Sequence, residues 1–396
     1  MSRIIKDWVV KMTKKIYEID VYQRTLKAII SDRIEENGNF YILLNETIFF
    51  PEGGGQPCDL GTIAGINLID VQERGEEVYH QVDAFPDDNE VDCLLDWPRR
   101  LDSMQQHCGE HILSGIVHKL YGGINKGFHM GKEMVTIDID LKSLSDEQIS
   151  RIEEESNQVI YSNAAITTEV VHSAEEAAAY PLRKKMTVDS DIRIVQIADA
   201  DCVACCGTHP RLAGEVGLIK IYKAEKNKGM TRLHFKCGQR ALKDYGKRHQ
   251  VLTELMQLYS ADLESLIGKI KKEREKAAFT REALRQFKMT VNNAWIEENL
   301  TSDKNIIQVF EDKDMDDLKY ITKKITDSNF AHTLCIASKQ DYGVVLASEK
   351  ANCGQLFKDH IKIFNGRGGG SPKMAQGSFQ DEKDMMNFLN ELTVLI

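Results

Sequence analysis

Two short stretches contain residue types that bind a transition metal. In MQQHCGEHILSG, residues 104–115, His107 and His111 are four residues apart, so on a helix both imidazoles lie on one face. In ACCGTHP, residues 204–210, Cys205 and His209 repeat this spacing. Three imidazoles and a thiolate make a tetrahedral shell for zinc, which accepts both nitrogen and sulfur. The sequence therefore predicts a Zn²⁺ site made from two distant segments.

A simpler interpretation applies to the first pair alone, because two helical histidines often pack or cap without a metal. The second Cys/His pair favours a metal. The stretch lacks the glutamate that directly follows the first histidine in a metalloprotease H-E-x-x-H motif. Glu110 precedes the second histidine instead, and the sequence leaves open whether it is a base or a solvated helix residue.

A glycine-rich stretch, ETIFFPEGGGQPCDLG at residues 46–61, offers a second polar group. Three consecutive glycines predict a loop whose backbone can approach a ligand closely. Thr47, Glu52 and Gln56 surround that loop with a hydroxyl, a carboxylate and an amide.

The elements that must position these residues predict an α+β fold. Short alternating stretches at 25–34, 40–44, 61–71, 78–82 and 91–96 predict a small antiparallel β-barrel domain over residues 1–100. An α+β zinc-binding domain follows over 101–240, with a hairpin-like connection at 123–131. It has capping-box spacing at Ser145–Gln148 and strands at 166–171, 192–197, 217–222 and 231–236.

The rest of the chain predicts two further parts. Residues 241 to about 287 contain no proline and predict one long helix, so 241–298 is expected to be a coiled coil or helical arm. A single amphipathic helix packed on its own domain is the alternative. Residues 299–396 predict an α/β domain in which NGRGGGSPKMAQG, at 365–377, forms a loop. Its amides beside Arg367 and Lys373 could bind phosphate, although the spacing is not that of a P-loop.

Composition places the 396-residue chain among folded proteins of two or three domains. The N-terminus lacks an apolar run long enough for a leader or a membrane span, and nine cysteines fit a reducing compartment. We therefore expect a cytoplasmic protein. The net charge of −10 argues against a nucleic-acid partner, but residues 220–248 carry about +8. This segment either attracts a polyanion or forms a solvated face beside acidic neighbours.

Six motifs in order resemble the editing half of alanyl-tRNA synthetase and the free-standing alanyl-tRNA editing proteins of the AlaX family. The motifs are TIFFPEGGGQPCDLG, MQQHCGEHILSG, GFHMG, CCGTHP, TRLHFKCGQRAL and GRGGGSPKMAQG. The similarity covers nearly the whole chain, and the last motif suggests the long form, which ends in a DHHA1-type domain. No segment resembles the ATP-dependent half of the synthetase.

The resemblance implies zinc ligation by His107, His111, Cys205 and His209. It also implies that the chain is an aminoacyl-tRNA deacylase that edits Ser-tRNA(Ala), with Gly-tRNA(Ala) as a second candidate substrate. The family usually has a small residue at Cys108 and glycine at Cys206, so either extra thiol is an alternative ligand.

Serine exceeds alanine by only a hydroxyl, so a buried partner for that hydroxyl would discriminate by about 1 to 3 kcal/mol. Thr47 is the first candidate and Gln56 the second. By analogy, residues 220–248 would follow the acceptor stem, and the C-terminal domain would touch the tRNA or pair two subunits in a homodimer. Two competing functions remain: a non-catalytic tRNA-binding protein with a structural zinc, and a zinc hydrolase of small esters.

Overall fold

A computed structural model describes residues 12–184, 191–300, 304–328 and 331–396. The chain divides into two units, Met1–Thr253 and Glu254–Ile396, and the predicted α+β class is confirmed. The finer domain boundaries after residues 100, 240 and 298 stay predictions. Residues 1–11, on which the expectation about a leader rested, lie outside the described residues. None of the described helices combines the length and apolar composition that a bilayer-spanning helix needs.

The first unit begins with a barrel. Its elements are β1 (Lys14–Lys15), α1 (Ile16–Ile19), β2 (Thr25–Glu36), β3 (Asn39–Leu44), β4 (Glu46–Thr47), β5 (Gly61–Ile63), β6 (Ile66–Arg74), β7 (Glu77–Val82) and β8 (Glu90–Leu95). Six strands close in the antiparallel order β2-β3-β7-β6-β5-β8. In β7 and β8 every second residue is buried, as expected for strands with one face on a core.

One predicted strand of the barrel is wrong. Residues 61–71 form a hairpin of β5 and β6 rather than a single strand. The chain reverses at Ala64 and Gly65, whose φ angles of 51° and 77° match the left-handed backbone of a two-residue hairpin turn.

The barrel core contains a polar pair, Thr47 and His80, both fully buried. His80 Nδ1 lies 3.2 Å from the Ile42 carbonyl oxygen, so Nδ1 carries the proton and Nε2 accepts from the Thr47 hydroxyl at 2.8 Å. The Phe49 amide donates to the same hydroxyl. Burial lowers the pKa of His80 to about 4, which keeps the ring neutral at pH 7.

The second half of the first unit packs one long helix against two sheets. Its elements are α2 (Trp97–Tyr121), β9 (Asn125–Met130), β10 (Val135–Ile139), α3 (Asp146–Tyr161), β11 (Ile166–Val171), α4 (Ala174–Ala177), β12 (Ile192–Ile197), β13 (Asp201–Ala204), a 3₁₀ turn (Ala213–Val216), β14 (Ile219–Asn227) and β15 (Met230–Cys237). The sheets have the orders β14-β15-β10-β9 and β11-β12-β13. The Ser145 capping box is present at the start of α3, and β11 and β12 have the predicted bounds. The predicted connection at 123–131 is largely strand β9.

Asp96 is the N-cap of α2, and its side chain accepts a hydrogen bond from the Arg99 amide. Arg100, one turn into the helix, is fully buried and ion-paired with Asp59 of the barrel domain at 2.5 Å. Its guanidinium also donates to the carbonyls of Val21 and Ile48. This contact fixes the start of α2 against the barrel.

The basic segment 220–248 is partly neutralised by acidic neighbours. Six of its ten cations form ion pairs, three of them with acids outside the segment: Glu153, Asp138 and Asp102. In the described part of the chain the other four, Lys226, Lys228, Lys243 and Lys247, form no ion pair. The three outside acids lower the net charge of this region from about +8 to about +5.

The single helix predicted from 241 to about 287 is also wrong. The structure has α5 (Gly238–Leu258) and α6 (Leu266–Asn299). The break contains Ser260 with a φ of 46°, and Asp262 Oδ1 accepts from the Ser265 amide before α6 begins. Both features interrupt the hydrogen-bond ladder of a continuous helix.

The second unit contains a five-stranded sheet in the order β16-β17-β18-β20-β19. Its remaining elements are β16 (Ile306–Phe310), α7 (Met315–Asp327), β17 (Leu334–Ser338), β18 (Gly343–Ala347), α8 (Cys353–His360), a 3₁₀ turn (Ile361–Phe364), β19 (Arg367–Gly370), β20 (Met374–Ser378) and α9 (Glu382–Leu395). The predicted loop at 365–377 is mostly the hairpin of β19 and β20, so its amides take part in strand pairing.

The burial of His80 predicts a pH dependence of stability. Unfolded His80, with an ordinary pKa of 6.5, takes up a proton that the folded barrel excludes until about pH 4. The stability that follows from keeping His80 neutral is therefore complete above pH 6.5, and it is lost as the pH falls from 6.5 towards 4. We expect the free energy of unfolding to fall by about 2 kcal/mol more between pH 7 and pH 5 in the wild type than in His80→Gln. Denaturant titrations at both pH values measure this, and equal losses would contradict it.

Candidate metal centre

The structure brings four sequence-predicted ligands together. The buried face of α2 presents His107 and His111, and the loop after β13 presents Cys205 and His209. Their ligand atoms all lie within 4.8 Å of one another. Cys205 Sγ is 3.4 Å from Nε2 of both His107 and His209. Two segments far apart in the chain therefore meet at one point.

The residues around His107 determine which of its nitrogens faces the cluster. His107 Nδ1 lies 2.9 Å from Gln56 Oε1, which also accepts from the Thr208 amide. Gln56 Nε2 donates to the Thr208 hydroxyl at 2.8 Å. Since an amide oxygen only accepts, His107 Nδ1 carries the proton and Nε2 is free for a metal. Gln56, a candidate for recognising serine, thus holds a ligand and its loop in place.

The ring of His107 is also confined by its neighbours. Phe128 stacks on it with ring centroids 5.4 Å apart and an interplanar angle of 22°. A Cβ at Gly207 would lie 2.2 Å from His107 Cε1. The loop 205–209 can approach the imidazole this closely because residue 207 has no side chain.

Two residues that sequence reasoning missed lie beside His111. Asp201 Oδ2 lies 3.3 Å from His111 Nδ1, an ion-pair distance at which Nδ1 has no hydrogen-bond partner among the described residues. Asp201 accepts two hydrogen bonds from Arg183. Both residues are at least nine-tenths buried. Asp201 precedes the CCGTH motif by four residues, a weak signal that could have indicated it.

The cluster has the charge of a cation site. Burial raises the pKa of Cys205, but the three imidazoles outweigh burial and hold it well below its usual range. Burial lowers the pKa of His111, yet the Cys205 thiolate and Asp201 outweigh it and raise this pKa to about 10. Burial lowers the pKa of His209 to about 3. A thiolate and a neutral imidazole are the forms that bind metal, so Cys205 and His209 are already in these forms, whereas His111 would release a proton when a cation binds.

The donor set fits zinc. It offers three nitrogens and one sulfur, whereas calcium and magnesium prefer oxygen. Nδ1 of His209 is buried without a hydrogen-bond partner among the described residues, while its Nε2 lies 3.4 Å from Cys205 Sγ. The two alternative thiols lie outside the cluster, because Cys108 is fully buried in the core and Cys206 is exposed.

The cluster opens on a cavity of about 520 Å³. Its lining comprises Gly54, His107, Glu110, His111, Asn125, Lys126, Gly127, Phe128, Arg183, Lys184, Asp191, Ile192, Arg193, Val203, Ala204, Cys205 and Cys206. Thr47 and Gln56 are not part of it, and both have fully buried side chains. Their proposed contact with a serine hydroxyl stays a prediction.

Glu110 lies in this cavity wall and is not a solvated helix residue, since only 5% of it is exposed. Its Oε1 accepts from the Ser114 hydroxyl and from Asn125 Nδ2, each at 2.6 Å. Its Oε2 is 3.8 Å from His111 Nε2. The carboxylate is therefore held rigidly beside the cluster.

The chain is similar over most of its length to a known editing protein. Alanyl-tRNA editing protein AlaX-L from Pyrococcus horikoshii is 30% identical over 393 residues, covering 92% of this chain and 94% of the relative. The chain belongs to the AlaX family of alanyl-tRNA editing proteins.

Other matches agree with membership of the AlaX family. The domain described as threonyl and alanyl tRNA synthetase second additional domain matches residues 192–234, and the DHHA1 domain matches residues 303–396. Alanyl-tRNA editing protein Aarsd1 from Danio rerio is 32% identical over 62% of this chain and 62% of its own length. Alanine–tRNA ligase from Pyrococcus abyssi is 26% identical over 97% of this chain but only 44% of its own length.

The close approach at Gly207 predicts a loss of metal affinity in this AlaX protein. Gly207→Ala should displace the His107 ring and weaken zinc binding by at least about tenfold, as measured by competition with a chromophoric chelator. The matched control is Gly246→Ala, because a Cβ at Gly246 meets no atom within 4 Å. Equal zinc affinity in both variants would show that the loop can move away from His107 freely.

Proposed function

We propose that this chain hydrolyses the ester bond between serine and tRNA(Ala), with Gly-tRNA(Ala) as a second substrate, at a zinc site. The supporting observation is the convergence of three imidazoles and one thiolate at the wall of a cavity, in a chain of the AlaX family. The ligands would be His107, His111, Cys205 and His209.

The reaction needs a held ester and a positioned water. Water attacks the carbonyl carbon, the bond to the terminal ribose oxygen breaks, and the proton lost by water reaches that oxygen. If the ester or a water replaced one of the four ligands, Cys205 or His209, zinc held by the other three would polarise the carbonyl and favour ionisation of water. Glu110 is the proposed base, since its Oε1 is occupied by Ser114 and Asn125 while its Oε2 is nearer His111.

The supporting contacts prepare the site in advance. Gln56 fixes the tautomer of His107, and Arg193 donates to the carbonyls of Cys205 and Gly207. The ligand loop therefore keeps its shape without substrate, which reduces the ordering that binding must accomplish.

A second function is favoured by the ligand count. Four protein ligands normally close the zinc shell and indicate a structural metal, so a tRNA-binding protein with structural zinc is the runner-up. A zinc hydrolase of small esters is a third candidate, and it would ignore the tRNA body. Pairing of two subunits through the C-terminal region stays a proposal.

The first test is deacylation of Ser-tRNA(Ala) by the zinc-loaded full chain. Glu110→Gln should lower kcat by about 100-fold or more, with zinc content unchanged. Chelation should abolish activity, and added zinc should restore it. The control is Glu147→Gln, an exposed residue of α3, which should retain wild-type kcat. Binding of tRNA without hydrolysis would favour the structural-zinc protein.

The second test concerns serine recognition. Thr47→Val removes the donor to His80 Nε2, so we expect the free energy of unfolding to fall by about 1 to 3 kcal/mol. If Thr47 also binds the serine hydroxyl, the ratio of deacylation rates on Ser-tRNA(Ala) and Ala-tRNA(Ala) should fall as well. The rates are measured below the unfolding transition. An unchanged ratio would remove Thr47 as the discriminating residue, and a wild-type ratio of one would contradict the serine preference itself.

A further inference from the structure

Arg183 is a buried cation with an unused hydrogen-bond donor. Only 4% of its side chain is exposed, and Nε and Nη2 donate to Asp201. Nη1 is buried and finds no acceptor among the described residues. A guanidinium N–H without an acceptor is unfavourable unless a ligand supplies one.

Arg183 lines the cavity beside the candidate metal centre. Asp201 contacts both Arg183 and His111. Arg183 is therefore linked to the ligand cluster through a single intervening residue. Arg183 is thus placed to bind a part of the substrate that is covalently attached to the reacting ester but does not itself react.

The cavity wall contains both cations and two carboxylates, Glu110 and Asp191, and Asp191 lies 2.8 Å from His172 Nδ1. Lys184 also lines the cavity and forms no ion pair within the described residues. Burial, followed by the neighbouring Arg183 cation, lowers the pKa of Lys184, as expected for two crowded positive groups. Lys126 is 3.4 Å from Asp140, and Arg193 is occupied by backbone carbonyls. Arg183 and Lys184 are thus the cations available to a ligand.

We propose that Arg183 Nη1 and Lys184 bind the phosphodiester on the 5′ side of the terminal nucleoside of an aminoacylated RNA. This subsite rests on the proposed function, because it places the ester at the metal centre. A guanidinium donates to phosphate oxygens in a fixed geometry, and such charge-assisted hydrogen bonds are stronger than neutral ones. Arg183 would therefore hold Asp201 with one edge and the RNA backbone with Nη1.

The test compares two non-hydrolysable ligands on the zinc-loaded full chain. One is 3′-deoxy-3′-serylamido-adenosine, and the other is the same compound with a 5′-methylphosphodiester. Calorimetry gives the Kd of each. We expect the phosphodiester to bind the wild type about tenfold more tightly than the compound without phosphate.

Three variants locate the effect. Arg183→Lys keeps a charge for Asp201 but lacks a second nitrogen, so the two ligands should bind within about twofold of each other. Lys184 forms no ion pair with Asp201, so Lys184→Gln leaves the Arg183–Asp201 pair in place. This variant should lower the preference for the phosphodiester, the ratio of the two Kd values, about threefold. Lys119→Gln, an exposed residue paired with Asp199, should retain the wild-type ratio.

Zinc content is measured for every variant, and Lys184→Gln decides the matter if Arg183→Lys loses zinc or fails to fold. Equal Kd values for both ligands in the wild type would overturn the phosphodiester subsite and leave the proposed function standing. If Arg183→Lys folds and both it and Lys184→Gln keep the wild-type ratio of the two Kd values, the phosphodiester subsite is also overturned. Binding of neither ligand to the wild type would overturn the subsite and the proposed function together.

Discussion

The buried ion pair between Arg100 and Asp59 is the contact on which the site depends. Both side chains are almost fully enclosed, and removing either would leave an unpaired charge, which costs several kcal/mol. The pair joins α2, which carries two imidazoles, to the glycine-rich loop of the barrel domain. Gln56 lies on that loop three residues before Asp59. The same pair therefore fixes Gln56 against His107.

The sequence indicated the parts of the fold that depend on local pattern. The spacing of His107 and His111 predicted their common helical face, and the Ser145 capping box marked the start of α3. Two of the wrong predictions, the single strand at 61–71 and the single helix at 241–287, concern interruptions. The turn at Ala64 and the break at Ser260 use non-glycine residues with positive φ, for which the sequence carries no strong mark.

The sequence also left the partners of the ligands undetermined. The hydrogen bond from His107 to Gln56 spans 51 residues, and that from Gln56 to Thr208 spans 152. Such contacts exist only once the barrel and the α+β half have packed. The same holds for charge, because part of the excess in 220–248 is cancelled by Glu153, Asp138 and Asp102, which lie far away in the chain.

The confinement of His107 determines how far its ring can move when no cation is bound. Phe128 covers one face of the ring, and Phe128 itself has almost no clearance from the glycine loop, where a Cβ at Gly55 would lie 2.6 Å from its Cδ1. The imidazole cannot swing out unless three segments separate. An emptied centre would accordingly retain its shape and refill by simple diffusion, without a refolding step.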